Sequence, residues 1–292
     1  MQTASNRTLT RIVQSRQNRR VKELRAGLAR GIKSDQGRIA LEGEHLLEEA
    51  LRSGLRVETI FVRSGSEGVL ARLRERFAIQ ITKSPEFEIL QLTPDVFASA
   101  VVTESPQGVA ALVEAPAFSW GELLHAPNPL LMVCAGLQDP GNLGTLIRSA
   151  EAFGAAGMVI LPGTVSPWNA KALRASAGSA FRLPVVAASP EEAFTFLRKN
   201  HIPLLAAVAA GGISGTEMDL SGPAALLIGN EGSGLPEEWI ARADQRVTIP
   251  CPGPVESLNA AVAGSVLLYE AARQRGVAAK PASMRPIGAG QP

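Results

Sequence analysis

Three short segments hold the polar residues whose types and spacing could do chemistry. In the first, Gln138-Asp139-Pro140-Gly141-Asn142-Leu143-Gly144-Thr145-Leu146-Ile147-Arg148, a Pro-Gly loop follows an apolar run and a helix opens near Asn142. Asn142 suits a helix N-cap, and Arg148 lies about two turns further on. The second, Gly229-Asn230-Glu231-Gly232-Ser233-Gly234-Leu235-Pro236, is a glycine-rich turn after the buried-type run Leu226–Ile228, with Pro236 opening a helix. Its order is G-x-x-G-x-G, which is not the dinucleotide fingerprint, and no Lys-Ser/Thr pair makes it a phosphate loop. Glu231 in that turn favours a ligand bearing donors or positive charge. In the third, Ile249-Pro250-Cys251-Pro252-Gly253-Pro254-Val255-Glu256-Ser257-Leu258-Asn259, three prolines and a glycine force an irregular path, and Ser257 and Asn259 stand at the start of a long helix.

Each segment, taken alone, also has a purely structural reading. Asn142 and Ser257 could simply cap helices, Arg148 could be a solvated helix residue, and the glycine turn an ordinary connection. His45, His125 and His201 all lie outside the three segments, so a histidine general base is not supported. Cys134 and Cys251 are far apart and beside apolar runs, as buried free thiols usually are. They form neither a metal spacing nor a disulfide framework, and no metal is expected.

The elements around these segments read as α/β. In the front half, Ser15–Arg30 forms a basic helix, and strands are expected at Ile39–Glu42, Val57–Val62, Ala78–Thr82 and Gly108–Val113. Helices fall at Glu44–Arg52, Gly68–Phe77 and Pro94–Ala98. A proline-containing stretch around 117–129 reads as a linker, with a short helix near Trp120–His125. Beyond it, apolar runs at Leu130–Ala135, Met158–Leu161, Leu183–Val186, Leu204–Val208, Ala224–Ile228 and Val247–Ile249 alternate with helical stretches at Leu143–Phe153, Trp168–Ser176, Pro190–Asn200 and Pro236–Arg242. Near-continuous apolar strands between helices imply a parallel sheet covered on both faces. Ser257–Arg275 is the last helix, its Ala260, Ala261, Gly264 and Ala271 small enough for close packing. The Pro/Gly/Ala-rich residues 277–292 read as a disordered tail. The resulting division is 1–116, linker 117–129, 130–276 and tail 277–292.

The chain has 292 residues, enough for two cores, and 46% hydrophobic residues place it among globular proteins. Aromatics are 4%, too few for an obvious base-stacking platform. The net charge of +2 is uneven. Residues 1–40 carry ten Lys/Arg against Glu23 and Asp35, so a polyanion would meet its positive charge there. No span suits a membrane, and a secretory signal core is missing from the N-terminus.

Together and in order, the three segments resemble the SPOUT class of methyltransferases, in its SpoU/TrmH branch of RNA ribose 2′-O-methyltransferases. They are similar to its D-P-x-N-x-G-x-x-x-R, G-x-E-x-x-G and I-P-M…S-L-N signatures, over roughly 130–276. Cys251 stands where the family often has Met, and Ala260-Ala261-Val262 replaces a more usual Val-Ser-Val. The front half is similar to the substrate-binding domain often fused to these enzymes, itself like a ribosomal-protein α/β fold. The resemblance implies a trefoil-knotted parallel-sheet domain holding S-adenosyl-L-methionine around Val208, Gly229, Ile249 and Leu258. It implies Arg148 at the reacting hydroxyl, Asn142 and Glu231 positioning Arg148 and the ribose, and Ser257 and Asn259 ordering the helix start and a substrate phosphate. It also implies a homodimer and an RNA substrate, ribosomal rather than transfer RNA by the weight of the accessory domain and its basic start. It weighs against reading the Arg-rich N-terminus as a mitochondrial transit peptide, the alternative to the cytoplasmic setting that the unpaired cysteines suggest. A non-catalytic RNA-binding assembly module and a small-molecule α/β enzyme are the competing classes; the intact polar set speaks against the former, and the basic start against the latter. Removal of residues 1–35 is expected to weaken RNA binding and flatten its salt dependence while sparing donor binding.

Overall fold

Alternation of side chains across two sheets organises the chain. The computed structural model describes residues 10–81, 88–255 and 257–276. The first sheet contains β1 (Thr10–Val13), β2 (Arg38–Glu42), β3 (Val57–Arg63), β4 (Glu88–Leu92) and β5 (Val109–Glu114), in the order β1-β4-β3-β5-β2. β1, β4 and β3 are parallel, whereas β5 runs antiparallel to β3 and β2. Ile39, Leu41, Ile60, Val62 and Ala111 belong to one buried cluster, with α2 (Glu44–Arg52) and α3 (Glu67–Ile81). Their neighbours Ala40, Phe61, Ala110 and Leu112 belong to the opposite cluster, with α1 (Arg19–Arg30) and α4 (Pro94–Ala100). This period of two, with both faces covered, explains why the strands read as unbroken apolar runs.

The second sheet is wholly parallel, in the order β10-β12-β9-β11-β6-β7-β8. Its strands are β6 (Leu130–Cys134), β7 (Gly157–Ile160), β8 (Val185–Ala187), β9 (Leu204–Ala207), β10 (Ile213–Ser214), β11 (Ala224–Ile228) and β12 (Gln245–Thr248). Met132, Cys134, Met158, Leu226 and Ile228 pack toward α5 (Pro140–Ala152) and α9 (Ala260–Gln274). Leu131, Val133, Val159, Ala225 and Leu227 pack toward α7 (Pro190–Lys199). α6 (Ala170–Ser176) lies against α5, and α8 (Glu237–Arg242) follows the glycine turn. The chain moves outward from β6 through β7 and β8, then returns to the other side. The order therefore reverses between β6 and β11, where open parallel sheets form ligand crevices at the carboxyl ends of their strands.

Several expectations are corrected. α5 begins at Pro140 and its N-cap is Asp139, whose Oδ1 accepts from the Gly141 and Asn142 backbone N–H groups; Asn142 is inside the helix. α9 begins at Ala260 with Asn259 as cap, so Ser257 lies before the helix. The strand expected over 78–82 is instead the end of α3 as far as Ile81; Thr82 lies outside the described residues. Strands β1, β4 and β10 are additions to the expected set. The tail expected at 277–292 also lies outside the described residues.

The basic start is not a free arm from Thr10 onward. β1 pairs with β4, and α1 buries Val21, Leu24 and Leu28. Arg38, 6% exposed, donates to Glu23 at 2.7 Å and to Glu58 at 2.7 Å. Burial alone would raise the Glu23 pKa, but hydrogen bonds from Arg38 and Ser34 and the charges of Arg38 and Arg20 hold it below the usual carboxylate range. Removing residues 1–35 would therefore break the sheet and the ion network, so that deletion tests folding rather than RNA contact. The positive charge open to solvent on α1 is Arg19, Lys22 and Arg30.

The two sheets share a packed junction. Arg182 donates to Glu49 at 3.0 Å and Ser53 at 3.2 Å on and just after α2, and to Glu151 at 2.6 Å on α5. Ala170 of α6 joins the cluster that contains α1, and Lys33 lies 5.2 Å from the Trp168 ring centre.

Close approach of α5 to α6 depends on Gly144. A Cβ there would lie 2.3 Å from the Ala172 carbonyl oxygen and 2.6 Å from the Ala175 Cβ. Backbone cannot swing aside as a side chain does, so Gly144→Ala is expected to destabilise the protein by about 1–3 kcal/mol. Denaturant unfolding checks this; an unchanged midpoint would contradict the packing described.

Candidate functional site

The loops after β9, β11 and β12 close around one cavity of about 350 Å³ at the carboxyl ends of those strands. Val208, Gly229, Ile249 and Leu258 all line it, as do Glu231, Cys251 and Ser257. Its floor is apolar, from Ile228, Val247 and Leu267, and its rim carries the glycine-rich turn. Gly229 is required by the turn itself, because a Cβ there would lie 2.5 Å from the Gly234 carbonyl carbon. Asn230 and Gly234 exchange backbone hydrogen bonds of 3.0 Å across this narrow loop.

Three of the expected polar residues form a relay at the rim. Asn259 Nδ2 donates to Asn142 Oδ1 at 3.1 Å, and Asn142 Nδ2 donates to Glu231 Oε1 at 2.7 Å. Asn259 Oδ1 meanwhile accepts from Ala261 N at 2.9 Å and Val262 N at 3.2 Å, capping α9. The three sequence segments are thus joined side chain to side chain. Asn142 and Asn259 are not among the residues lining the cavity, and neither is Arg148. Arg148 is exposed on α5, and its guanidinium makes no hydrogen bond or ion pair among the described residues. Its neighbour Ser149 accepts a 2.8 Å hydrogen bond from Ser265 of α9.

Cys134 sits beneath the site, fully buried; burial, then the Glu231 charge, push its thiol pKa up, so it remains neutral. Cys251, half-buried, lies in the cavity wall. Among the described residues no group of His, Cys, Asp and Glu could hold a metal ion, and no helix is long and apolar enough to cross a membrane.

Two supporting residues escaped the sequence reading. Asn230 donates from Nδ2 to the Gly136 carbonyl at 2.7 Å, while its Oδ1 accepts from Gly232 N at 2.8 Å and Ser233 N at 3.0 Å. Thr164 Oγ1 accepts from Gly136 N at 2.9 Å and donates to the Cys134 carbonyl at 3.1 Å. Together they staple the loops after β6, β7 and β11. The Asn-x-Gly order at 230–232 is an Asx-turn signal that could have identified Asn230; Thr164 carries no such signal.

Comparison with known proteins matches this geometry to a family. Residues 129–269 match the SpoU rRNA Methylase family, and residues 18–111 match the MRM3-like substrate binding domain. A relative from Bacillus subtilis (strain 168), 23S rRNA (guanosine(2553)-2'-O)-methyltransferase RlmP, is 32% identical over 257 residues, covering 88% of this chain and 97% of its own. The chain belongs to the SpoU rRNA methylase family. Another SpoU relative, the 23S rRNA (uridine(2479)-2'-O)-methyltransferase of Streptomyces viridochromogenes, is 33% identical over 68% of this chain and 72% of its own. The solved structure of an AdoMet-bound rRNA methyltransferase from Sinorhizobium meliloti is similar at a TM-score of 0.78 and 28% identity, covering 90% of this chain and 98% of that one. The SpoU methyltransferase AviRb from Streptomyces viridochromogenes is similar at 0.76 and 30% identity, over 89% and 98%.

In this SpoU protein, Asn230 is the residue that shapes the Glu231 loop. Asn230→Ala is expected to speed amide hydrogen exchange at Gly232 and Ser233 roughly tenfold, the loss of about one net hydrogen bond. Unaltered protection at those amides would show that the backbone holds the loop unaided.

Proposed function

We propose that this SpoU-family protein transfers a methyl group from S-adenosyl-L-methionine to a ribose 2′-hydroxyl of ribosomal RNA. The observation that carries the reading is the union of an apolar, backbone-lined cavity with the Asn259–Asn142–Glu231 relay at its rim. The cavity fits that donor: Val208, Ile249 and Leu258 offer apolar walls to an adenine, and the Glu231 carboxylate favours a cationic sulfonium nearby. Bound there, S-adenosyl-L-methionine supplies the methyl group and is left as a neutral thioether. The protein's part is alignment and the removal of one proton. Asn142 and Glu231 position the ribose, and Ser257 and Asn259 order the start of α9 and a substrate phosphate. Arg148 orients the hydroxyl and its phosphate, and the hydroxyl proton passes to solvent water as the O–C bond forms and the S–C bond breaks; a literal base role is unsuited to an arginine at neutral pH.

The arrangement favours a homodimer. Val262, Val266 and Tyr269 of α9 are 49%, 41% and 57% exposed and form an apolar face with Phe153 and Thr145 of α5 and its C-terminal end. Arg148 lies on the same helix, one turn after Thr145, beside that face. The reading further includes the family's knotted backbone around Gly229, Ile249 and Leu258, the division at 117–129 and a cytoplasmic location.

Labelled-methyl transfer to total ribosomal RNA, with mapping of 2′-O-methyl positions in cells with and without the gene, tests the activity. Absence of donor binding by folded protein in calorimetry would overturn it, transfer to transfer RNA alone would replace the substrate, and tight RNA binding without transfer would favour a non-catalytic module. Arg148→Ala is expected to lower kcat by roughly 10²–10⁴-fold with donor affinity retained. If sites are shared between copies, mixing inactive Arg148→Ala with inactive Glu231→Ala protein restores part of the activity. On α1, the joint substitution Arg19→Ala, Lys22→Ala and Arg30→Ala is expected to make the log Kd against log salt slope for RNA shallower, by about 0.7 for each phosphate no longer neutralised. An unchanged slope would remove α1 from the RNA surface.

A further inference from the structure

A second cavity, of about 320 Å³, lies where the two sheets meet and is not part of the donor site. The first unit supplies most of its wall, from the β2–α2 turn and the segment leading into β5; the second unit supplies Arg174 of α6. Its size falls at the lower end of ligand pockets, suited to a single planar group.

The wall has distinct chemistries. Leu46 gives a buried apolar surface, and the exposed His45 ring stands beside it. Glu42 is 6% exposed and already accepts from Val102 N at 3.1 Å and from the Thr103 hydroxyl, which makes it a fixed acceptor. Gln107 is oriented by accepting from Glu44 N at 3.0 Å, which leaves its amide N–H groups for a ligand. The exposed Arg174 guanidinium has no hydrogen-bond or ion-pair partner among the described residues. A free phosphate alone matches this set poorly, because the Glu42 carboxylate would repel it. A nucleotide matches it: a ring against His45 and Leu46, N–H donors of the base edge toward Glu42, and the negative phosphate on Arg174.

α6 also gives the cavity a direction. Lys171, one turn before Arg174, pairs with Asp139 at 2.9 Å, and Asp139 caps the helix that carries Asn142. Two cations on one short helix therefore lead from this cavity to the rim of the transfer site.

We propose that the cavity between the two units holds one unstacked nucleotide of the RNA substrate, with its phosphate on Arg174 and its base against His45. This rests on the reading of RNA as substrate. It accounts for how a chain with few aromatics grips single-stranded RNA: one ring and one guanidinium act at a fixed distance from the transfer site.

Fluorescence anisotropy with a 5′-fluorescein single-stranded RNA 12-mer of mixed sequence, across a salt series, tests it. Arg174→Gln is expected to weaken binding at least fivefold and to make the salt slope shallower by about 0.7, one phosphate contact. His45→Ala is expected to weaken binding roughly five- to a hundredfold, the range of one base stack, with the slope unchanged. Both side chains are exposed and donor affinity by calorimetry should stay at the wild-type value, which separates a contact with RNA from a general loss of fold. Wild-type affinity and slope in both variants would overturn the proposal while leaving the RNA reading standing. No binding by the wild type would remove the RNA reading and this inference with it. Binding of free GMP at the same cavity, competing with nothing on the 12-mer, would make it a mononucleotide site and overturn the assignment to RNA.

Discussion

The relay from Asn259 through Asn142 to Glu231 is the constraint on which the site depends. It spans 117 and 89 residues of sequence in two hydrogen bonds. Its polarity is fixed from one end. Asn259 must turn its oxygen to the backbone N–H groups of α9, so its amide nitrogen faces Asn142. Asn142 must then receive with oxygen and pass its own nitrogen to a carboxylate. Only an acceptor suits position 231, which gives the acidic residue in the glycine turn a reason that its own loop does not supply. These contacts are partly solvated and each is worth about 0.5–1.5 kcal/mol net. They set position rather than hold the fold together, which falls to the sheet and to the contacts of α5 with α6 and α9.

Much of the second unit was legible because both faces of its sheet are covered. The apolar runs at Leu130, Met158, Leu204, Ala224 and Val247 are long, β-rich and separated by helical patterns, and each is a strand. What escaped was decided by tertiary contact. Among the side chains described in β1 only Val13 is buried, and the segment is a strand because β4 offers it an edge. Residues 78–81 have the composition of a strand but form a helical turn beyond a kink in α3 at Phe77. The caps differ from expectation for a local reason: Asp139 and Asn142 are both good capping residues, and Pro140 at the first helical position favours the earlier one. The polar residues of the site were legible as a set in order. That Arg148 stands apart from Asn142 follows from their spacing along α5, whereas the contact of Asn142 with Glu231 follows from strand order and could not be read from spacing.

Charge shows the same division between local and tertiary logic. Ten basic residues in forty suggest an exposed surface for a polyanion. Part of that charge is instead internal: Arg38 and Arg20 face Glu23, Glu58 and Glu88, and Arg25 donates to the Ser99 carbonyl at 2.7 Å. A buried arginine left without its carboxylates would be strongly destabilising, so these residues hold α1 on its sheet. The charge that remains for a polyanion is a stripe along one face of a helix that cannot swing.

α6 is two turns long and touches every part of this arrangement. Ala170 enters the core under α1, Lys171 holds the cap of α5, and Arg174 faces the turn before α2. Arg182, shortly after it, ties α2 to α5. An accessory domain on a loose linker could raise the local concentration of a substrate but could not set which nucleotide reaches the transfer site. A domain packed through α6 can, because any contact it makes with the strand lies at a fixed offset from Asn142. The junction therefore fixes the offset between α6 and Asn142, whatever ligand either contacts.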